Sequence, residues 1–145
     1  MILTGENMAY NFEKEKREAI DAGNKALESL HTAKENLDSA HNWGLFDMFA
    51  GGLISSLAKR SKMNQARQHM EQAKWDLRNF SEELKDVNMI SHLDIETDDF
   101  LSFADWFFDG FFVDWMVQDR INTARDQVEE AIQRLKVILR ELENS

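Results

Sequence analysis

The sequence predicts an all-α protein: an elongated antiparallel bundle of three long, coiled-coil-like helices, with two short apolar helices at glycine bends. Three observations predict it. Three stretches carry apolar residues at alternating spacings of three and four, the signature of a helix with one buried face. The chain has no proline and only six glycines in 145 residues, so little in it interrupts a helix. Residues 43–87 and 101–145 align with each other at an offset of 58, which marks an internal repeat within a single domain, 1–145.

The first long helix is expected over residues 7–42. Ile20, Gly23, Leu27, Leu30, Lys34, Leu37 and His41 recur at spacings of three and four, and Ala19, Ala22, Ala26, Ala33 and Ala40 widen the stripe. A glycine inside a helix costs about 1 kcal/mol against alanine. Gly23 is therefore expected to serve the close approach of a neighbouring helix.

Residues 43–58, WGLFDMFAGGLISSLA, break that pattern. Gly44 is expected to end the first helix as its C′ residue. A short helical turn then covers 45–50, and the chain bends at Gly51 and Gly52. Trp43, Phe46, Phe49 and Leu53 are candidates for core or interface, and Lys59, Arg60 and Lys62 follow them.

The second long helix begins before Met63 and runs to about Val87. Met63, Ala66, Met70, Ala73, Leu77, Phe80, Leu84 and Val87 form a heptad seam. Residues 88–97 are polar and acidic and are expected to form a loop. Thr97 or Asp98 then caps a short helix over 99–109, and Gly110 marks a second bend. The stretch FLSFADWFFDGFFVDWMV, residues 100–117, holds eight of the chain's fifteen aromatics. Phe103, Trp106, Phe107, Phe111, Phe112 and Trp115 are its candidates for core or interface. The third long helix covers about 111–143, with Ile121, Ala124, Val128, Ala131, Leu135, Ile138 and Leu142 on its seam.

The repeat reaches beyond the seams. Asp47 falls on Asp105, Phe49 on Phe107 and Gly52 on Gly110. Any two heptad helices can be aligned, but these three matches lie outside the heptads. The repeated unit is a short apolar helix, a glycine bend and a long helix. If the long helices run up, down and up, the two apolar elements lie at opposite ends. They would then meet only across a dimer interface, or through a long return by the loop over 88–97.

Composition narrows the function. No cysteine is present, which removes disulfides, thiolate catalysis and cysteine-ligated metals. A net charge of −10 excludes a nucleic-acid partner, because phosphate neutralisation needs a basic face. Residues 1–10 lack the basic and apolar segments of a signal peptide, and no 18-residue apolar run is free of charge, so a cytoplasmic location is expected.

Candidate chemical sites are few. Asp94, Glu96, Asp98, Asp99 and Asp105 approach the spacing of a calcium loop, but Asp99 stands where that loop needs glycine. A solvated loop with a helix cap explains them better. Asp105 and Asp109 lie one helical turn apart without a Glu-x-x-His companion, and Asp105 has its repeat equivalent in Asp47, which favours a structural role. His31, His41, His69 and His92 show no ligand spacing. No serine–histidine–acid set or phosphate-binding glycine loop appears, so neither an enzyme nor a cofactor is expected.

The function expected is that of a non-enzymatic helical interaction or scaffold protein. Its partner would be another protein or a second copy, since so much aromatic surface requires burial. Two alternatives stand beside it. Residues 43–62 pair an apolar face with a basic end, as an interfacial membrane helix does. The repeat-equivalent element at 105–117 carries only acids, which speaks against a shared membrane role. The aspartates between 94 and 109 are the basis of the other alternative, a metal or small-ligand binder.

The run FADWFFDGFFVDWMVQDRIN, preceded by NWGLFDMFAGGLISSLAKRSKMNQA, resembles a family of uncharacterised bacterial all-helical proteins that pair these two motifs. The similarity covers about residues 42–126. It implies a bacterial cytoplasmic origin and brings no activity, ligand or catalytic residue.

Overall fold

In the computed structural model, residues 5–50, 53–91, 102 and 121–145 are described, with side chains over 11–42, 61, 64–87, 102 and 122–145. Three helices are found: α1 (Gly5–Ala50), α2 (Leu53–Ser91) and α3 (Ile121–Glu143). There is no strand among the described residues. α1 packs against both α2 and α3.

The helices are longer than the seams alone predict. Gly44 does not end α1, which runs unbroken to Ala50. The expected short helix over 45–50 is therefore the last part of α1. Trp43, Phe46 and Phe49 keep a spacing of three across Gly44, so helical continuation was encoded beside the apparent stop. One interior glycine costs about 1 kcal/mol, too little to break a helix extended on both sides. Likewise α2 begins at Leu53, and residues 88–91, expected as loop, complete its last turn. Gly51 and Gly52 separate α1 from α2 and, with Gly110, lie outside the described residues.

One core cluster joins the three helices. On α2 it takes Ala66, Met70, Ala73, Leu77, Phe80, Leu84 and Val87, the seam read from sequence. On α3 it takes Ala124, Val128, Ala131, Leu135 and Leu142, with Ile132 and Leu139. Ile138, expected on that seam, is only half-buried beside Leu139. On α1 the buried line keeps Gly23, Leu30 and Leu37 of the expected seam and is completed by alanines that were expected to widen it. It runs through Ala19, Gly23, Ala26, Leu30, Ala33, Leu37 and Ala40. Ile20, Leu27, Lys34 and His41 flank it, half-buried. The reason is steric. α1 serves two neighbours, and a line of alanines lets both come close while the larger residues fill the edges.

Gly23 marks the tightest point. A methyl group placed there would fall 2.5 Å from Leu139 Cδ2 and 2.8 Å from Phe80 Cε2. The leucine tip can yield, but the phenylalanine ring, fully buried, has no free space to enter. The close approach expected of this glycine is thus made, and to two helices at once.

The polar contacts run in opposite order on α1 and on its neighbours. Descending α1 through Asp38, Lys34, Gly23 and Lys16, the partners on α3 climb through Arg125, Glu129, Leu139 and Ser145. Descending through Ser29, Gly23 and Glu15, those on α2 climb through Asp76, Phe80 and then Glu83 and Asp86.

Candidate functional site

Beside the contact of Lys16 with Ser145, three sets of polar groups meet between helices among the described residues, and each can be built from the register of α1. The first lies low on α1. Glu15 comes off α1 facing Glu83 and Asp86 of α2, and the three bring carboxylate oxygens within 4.8 Å of one another. Glu15 and Glu83 are half-buried as residues, yet each keeps one oxygen, Oε2, sealed from solvent without a hydrogen-bond partner. Burial pushes both carboxyls above the usual range, and the charges of Glu18 and Asp86 push further in the same direction. Lys14 opposes the shift of Glu15 only weakly.

Three convergent oxygens invite a comparison with a cation site. A calcium ion takes about six to eight oxygens, several of them backbone carbonyls or both atoms of one carboxylate. Here both backbones are continuous helix, so their carbonyls are committed to helical bonds. The set reads as a like-charge edge whose two glutamates hold a proton more tightly than a free carboxyl does.

The second set sits higher, at Asp76. This aspartate is only 2% exposed, deep beside Leu77 and Phe80. Ser29 of α1 donates its hydroxyl to Asp76 Oδ2 at 2.6 Å, and Gln72 donates its amide to Oδ1 at 3.1 Å. A buried carboxylate must be hydrogen-bonded, and each of its oxygens here has a donor. The Ser29 contact fixes α1 against α2 lengthwise, since a slip of one turn would leave the carboxylate unmatched. Sequence reading missed Asp76. Its signal was its position, three residues after Ala73 and four before Phe80, on the edge of the α2 seam.

The third set joins α1 to α3. Lys34 donates to Glu129 Oε2 at 2.7 Å, and Gln133 donates to Glu129 Oε1 at 2.8 Å. One turn further along, Arg125 donates from Nε to Asp38 Oδ1 at 2.6 Å. The hydrogen bond from Lys34, then that from Gln133, holds the Glu129 carboxyl below the usual range. The bond to Glu129 correspondingly raises the Lys34 ammonium.

The residues singled out in the sequence are mostly elsewhere. Trp43, Phe46 and Phe49 lie on α1 and Leu53 opens α2, with side chains outside the described residues. Phe103, Trp106, Phe107, Phe111, Phe112, Trp115 and the acidic positions 94–99, 105 and 109 lie wholly outside them. His31 is exposed, and His41 and His69 are half-buried. Among the described residues, no helix is long and apolar enough to cross a membrane. No family model, no curated protein and no solved structure matches the chain.

Proposed function

We propose that this is a non-enzymatic helical interaction or scaffold protein, bacterial and cytoplasmic, in which α1 runs antiparallel to both α2 and α3. It carries the two copies of a duplicated unit side by side in one register. The observation that supports this reading is the meeting at Gly23, where one α1 position touches Phe80 and Leu139, residues one step from the repeat offset of 58. The paired positions Ala66 and Ala124, Met70 and Val128, Ala73 and Ala131, Leu77 and Leu135, and Leu84 and Leu142 are all buried. A duplication that kept its register would bury the same positions twice.

In this arrangement α3 follows the direction of α2. The level where Asp38 meets Arg125 is near the point where α1 leads into Trp43, Phe46 and Phe49. It is also where α3 follows on from Phe111, Phe112 and Trp115 in the chain. In this reading the aromatic elements serve as core or as the surface for a protein partner.

The test is capture with the tagged full chain from a bacterial lysate, followed by sedimentation of the purified complex. The reading expects a protein complex of fixed stoichiometry. It is overturned if no protein complex forms while anionic vesicles capture the chain and release it once Lys59, Arg60 and Lys62 are changed to glutamate.

A further inference from the structure

We infer that the outer face of α2 is a self-complementary surface that docks onto α2 of a second copy, antiparallel, about a two-fold axis beside Trp75. The inference deepens the interaction reading above and rests on it.

Three observations lead there. Trp75 is 62% exposed, the most exposed large hydrophobic residue described. An aromatic ring left open to water at mid-helix is the kind of residue that anchors an interface. It stands at the centre of a second line of alternating three and four spacings, Gln68, Glu71, Trp75, Arg78 and Glu82, every one of them exposed. This line starts two residues on from the buried seam, about 200° around the helix. It therefore faces away from α1.

The charges along the line are arranged as a two-fold axis requires. When the helix is laid antiparallel on itself with Trp75 against Trp75, Glu71 of each copy comes within one residue, about 1.5 Å along the axis, of the level of Arg78 of the other. Arg67 comes opposite Glu82 in the same way. A symmetric contact uses each pair twice. Among the described residues, Arg67 and Arg78 have local partners. Arg67 reaches Glu71 at 3.5 Å one turn away, and Arg78 lies 5.7 Å over the Trp75 ring. Both can turn to a facing helix by changes of rotamer alone.

The wider electrostatics limit how two copies can meet. The chain carries a net charge of −10, so two copies repel on most approaches. α2 is the exception among the three helices. It has seven basic residues against five acidic ones, whereas α1 has five against nine and α3 four against five. That excess comes from Lys59, Arg60 and Lys62; over 64–87, which carries the docking line, four basic residues stand against five acidic ones, so the cross-pairing of Glu71 with Arg78, not net charge, favours this face.

The contact is one helix wide and carries one aromatic anchor per copy, so it is expected to be reversible rather than obligate. Sedimentation velocity of the full chain over a wide concentration range tests it. The expected result is a concentration-dependent dimer. Glu71→Arg should weaken it by about tenfold or more, because two attractions become two repulsions. Trp75→Glu should abolish it. The exchange Glu71→Arg with Arg78→Glu should restore association to near the original level. All three positions are exposed, so circular dichroism should remain that of the parent. A chain that stays monomeric at all concentrations overturns the inference, as does a dimer indifferent to Glu71→Arg and Trp75→Glu. A monomer that still captures a protein partner removes only this contact; a monomer that captures nothing removes the interaction reading with it.

Discussion

α1 meets its two neighbours in unlike ways. Toward α3 its edge charges are matched: Lys34 with Glu129 and Asp38 with Arg125, each at hydrogen-bond distance. Toward α2, among the described residues, Glu15 faces Glu83 and Asp86, and the buried carboxylate of Asp76 is held by neutral donors. Both faces bury equivalent apolar seams, so the contrast lies in the polar rim. The lesson is that the apolar seam supplies most of the stability on either side, while the rim decides register and response to pH. Partly exposed ion pairs contribute little, typically about 0.2–1 kcal/mol each. A buried polar group contributes more, because leaving its partner unmatched is costly.

The largest break in the comparison should come from the seam. Phe80→Ala removes a fully buried ring that packs at Gly23, and unfolding by urea should show a loss of about 3–5 kcal/mol. A loss below about 1 kcal/mol would mean that the contact at Gly23 does not hold in solution.

Next comes the buried carboxylate. Asp76→Ala leaves the Ser29 hydroxyl without its acceptor and opens a small void. The expected loss is about 1–3 kcal/mol. Adding Ser29→Ala should recover part of it, a non-additivity that a double-mutant cycle would measure. Strict additivity would show that the two residues do not meet.

The pH response should separate the two faces. Glu15 and Glu83 have carboxyls raised by burial, so the folded state binds their protons more tightly than the unfolded state does. Their contribution is therefore fully present below the ordinary carboxylate value of 4.5 and is lost as pH rises through the raised values. Glu129 behaves oppositely. Its carboxyl is lowered, so the support from Lys34 is present above 4.5 and is lost as pH falls through the lowered value. The melting temperature should rise as pH is brought from 7 toward 4.5 and then fall below it. Glu15→Gln with Glu83→Gln should raise the midpoint at pH 7 and flatten the rise. If the double variant keeps the full rise, the proton uptake belongs to other groups.

The smallest effect belongs to the matched rim. Lys34→Met removes the partner of Glu129 at a half-exposed edge. The expected loss is about 0.2–1 kcal/mol, shrinking as salt is added. An insensitivity to salt would place the effect in packing of the lysine stem.

Much of this architecture was legible in the sequence. The seams of α2 and α3 named their buried residues nearly one for one, because a heptad line has a single neighbour to satisfy. α1 was read less well. Gly23, Leu30 and Leu37 of its expected seam are buried, but Ala19, Ala26, Ala33 and Ala40, expected only to widen the stripe, complete the buried line while Ile20 and Leu27 flank it. A helix between two neighbours centres its small residues, and only knowledge of the second neighbour reveals that. Gly44 misled for a different reason: a stop signal is weak when the spacing of Trp43, Phe46 and Phe49 continues through it. The polar contacts were not legible at all. Glu15 with Glu83, Ser29 with Asp76 and Lys34 with Glu129 are separated by 47 to 95 residues, and each depends on a register that spacing within one helix does not contain.

The central claim is that α2 and α3 follow the same direction on α1 at the repeat offset. The chain has no cysteine, so spin labels can be placed at will. Gln68 with Asp126, and Glu82 with Arg140, are exposed pairs separated by that offset near the two ends of the seams. Double electron–electron resonance on cysteine variants of each pair is the most direct test. The account predicts two closely similar distances. Either pair opened by about 20 Å, the rise of 14 helical residues, would contradict it and return the bundle to an up-down-up course.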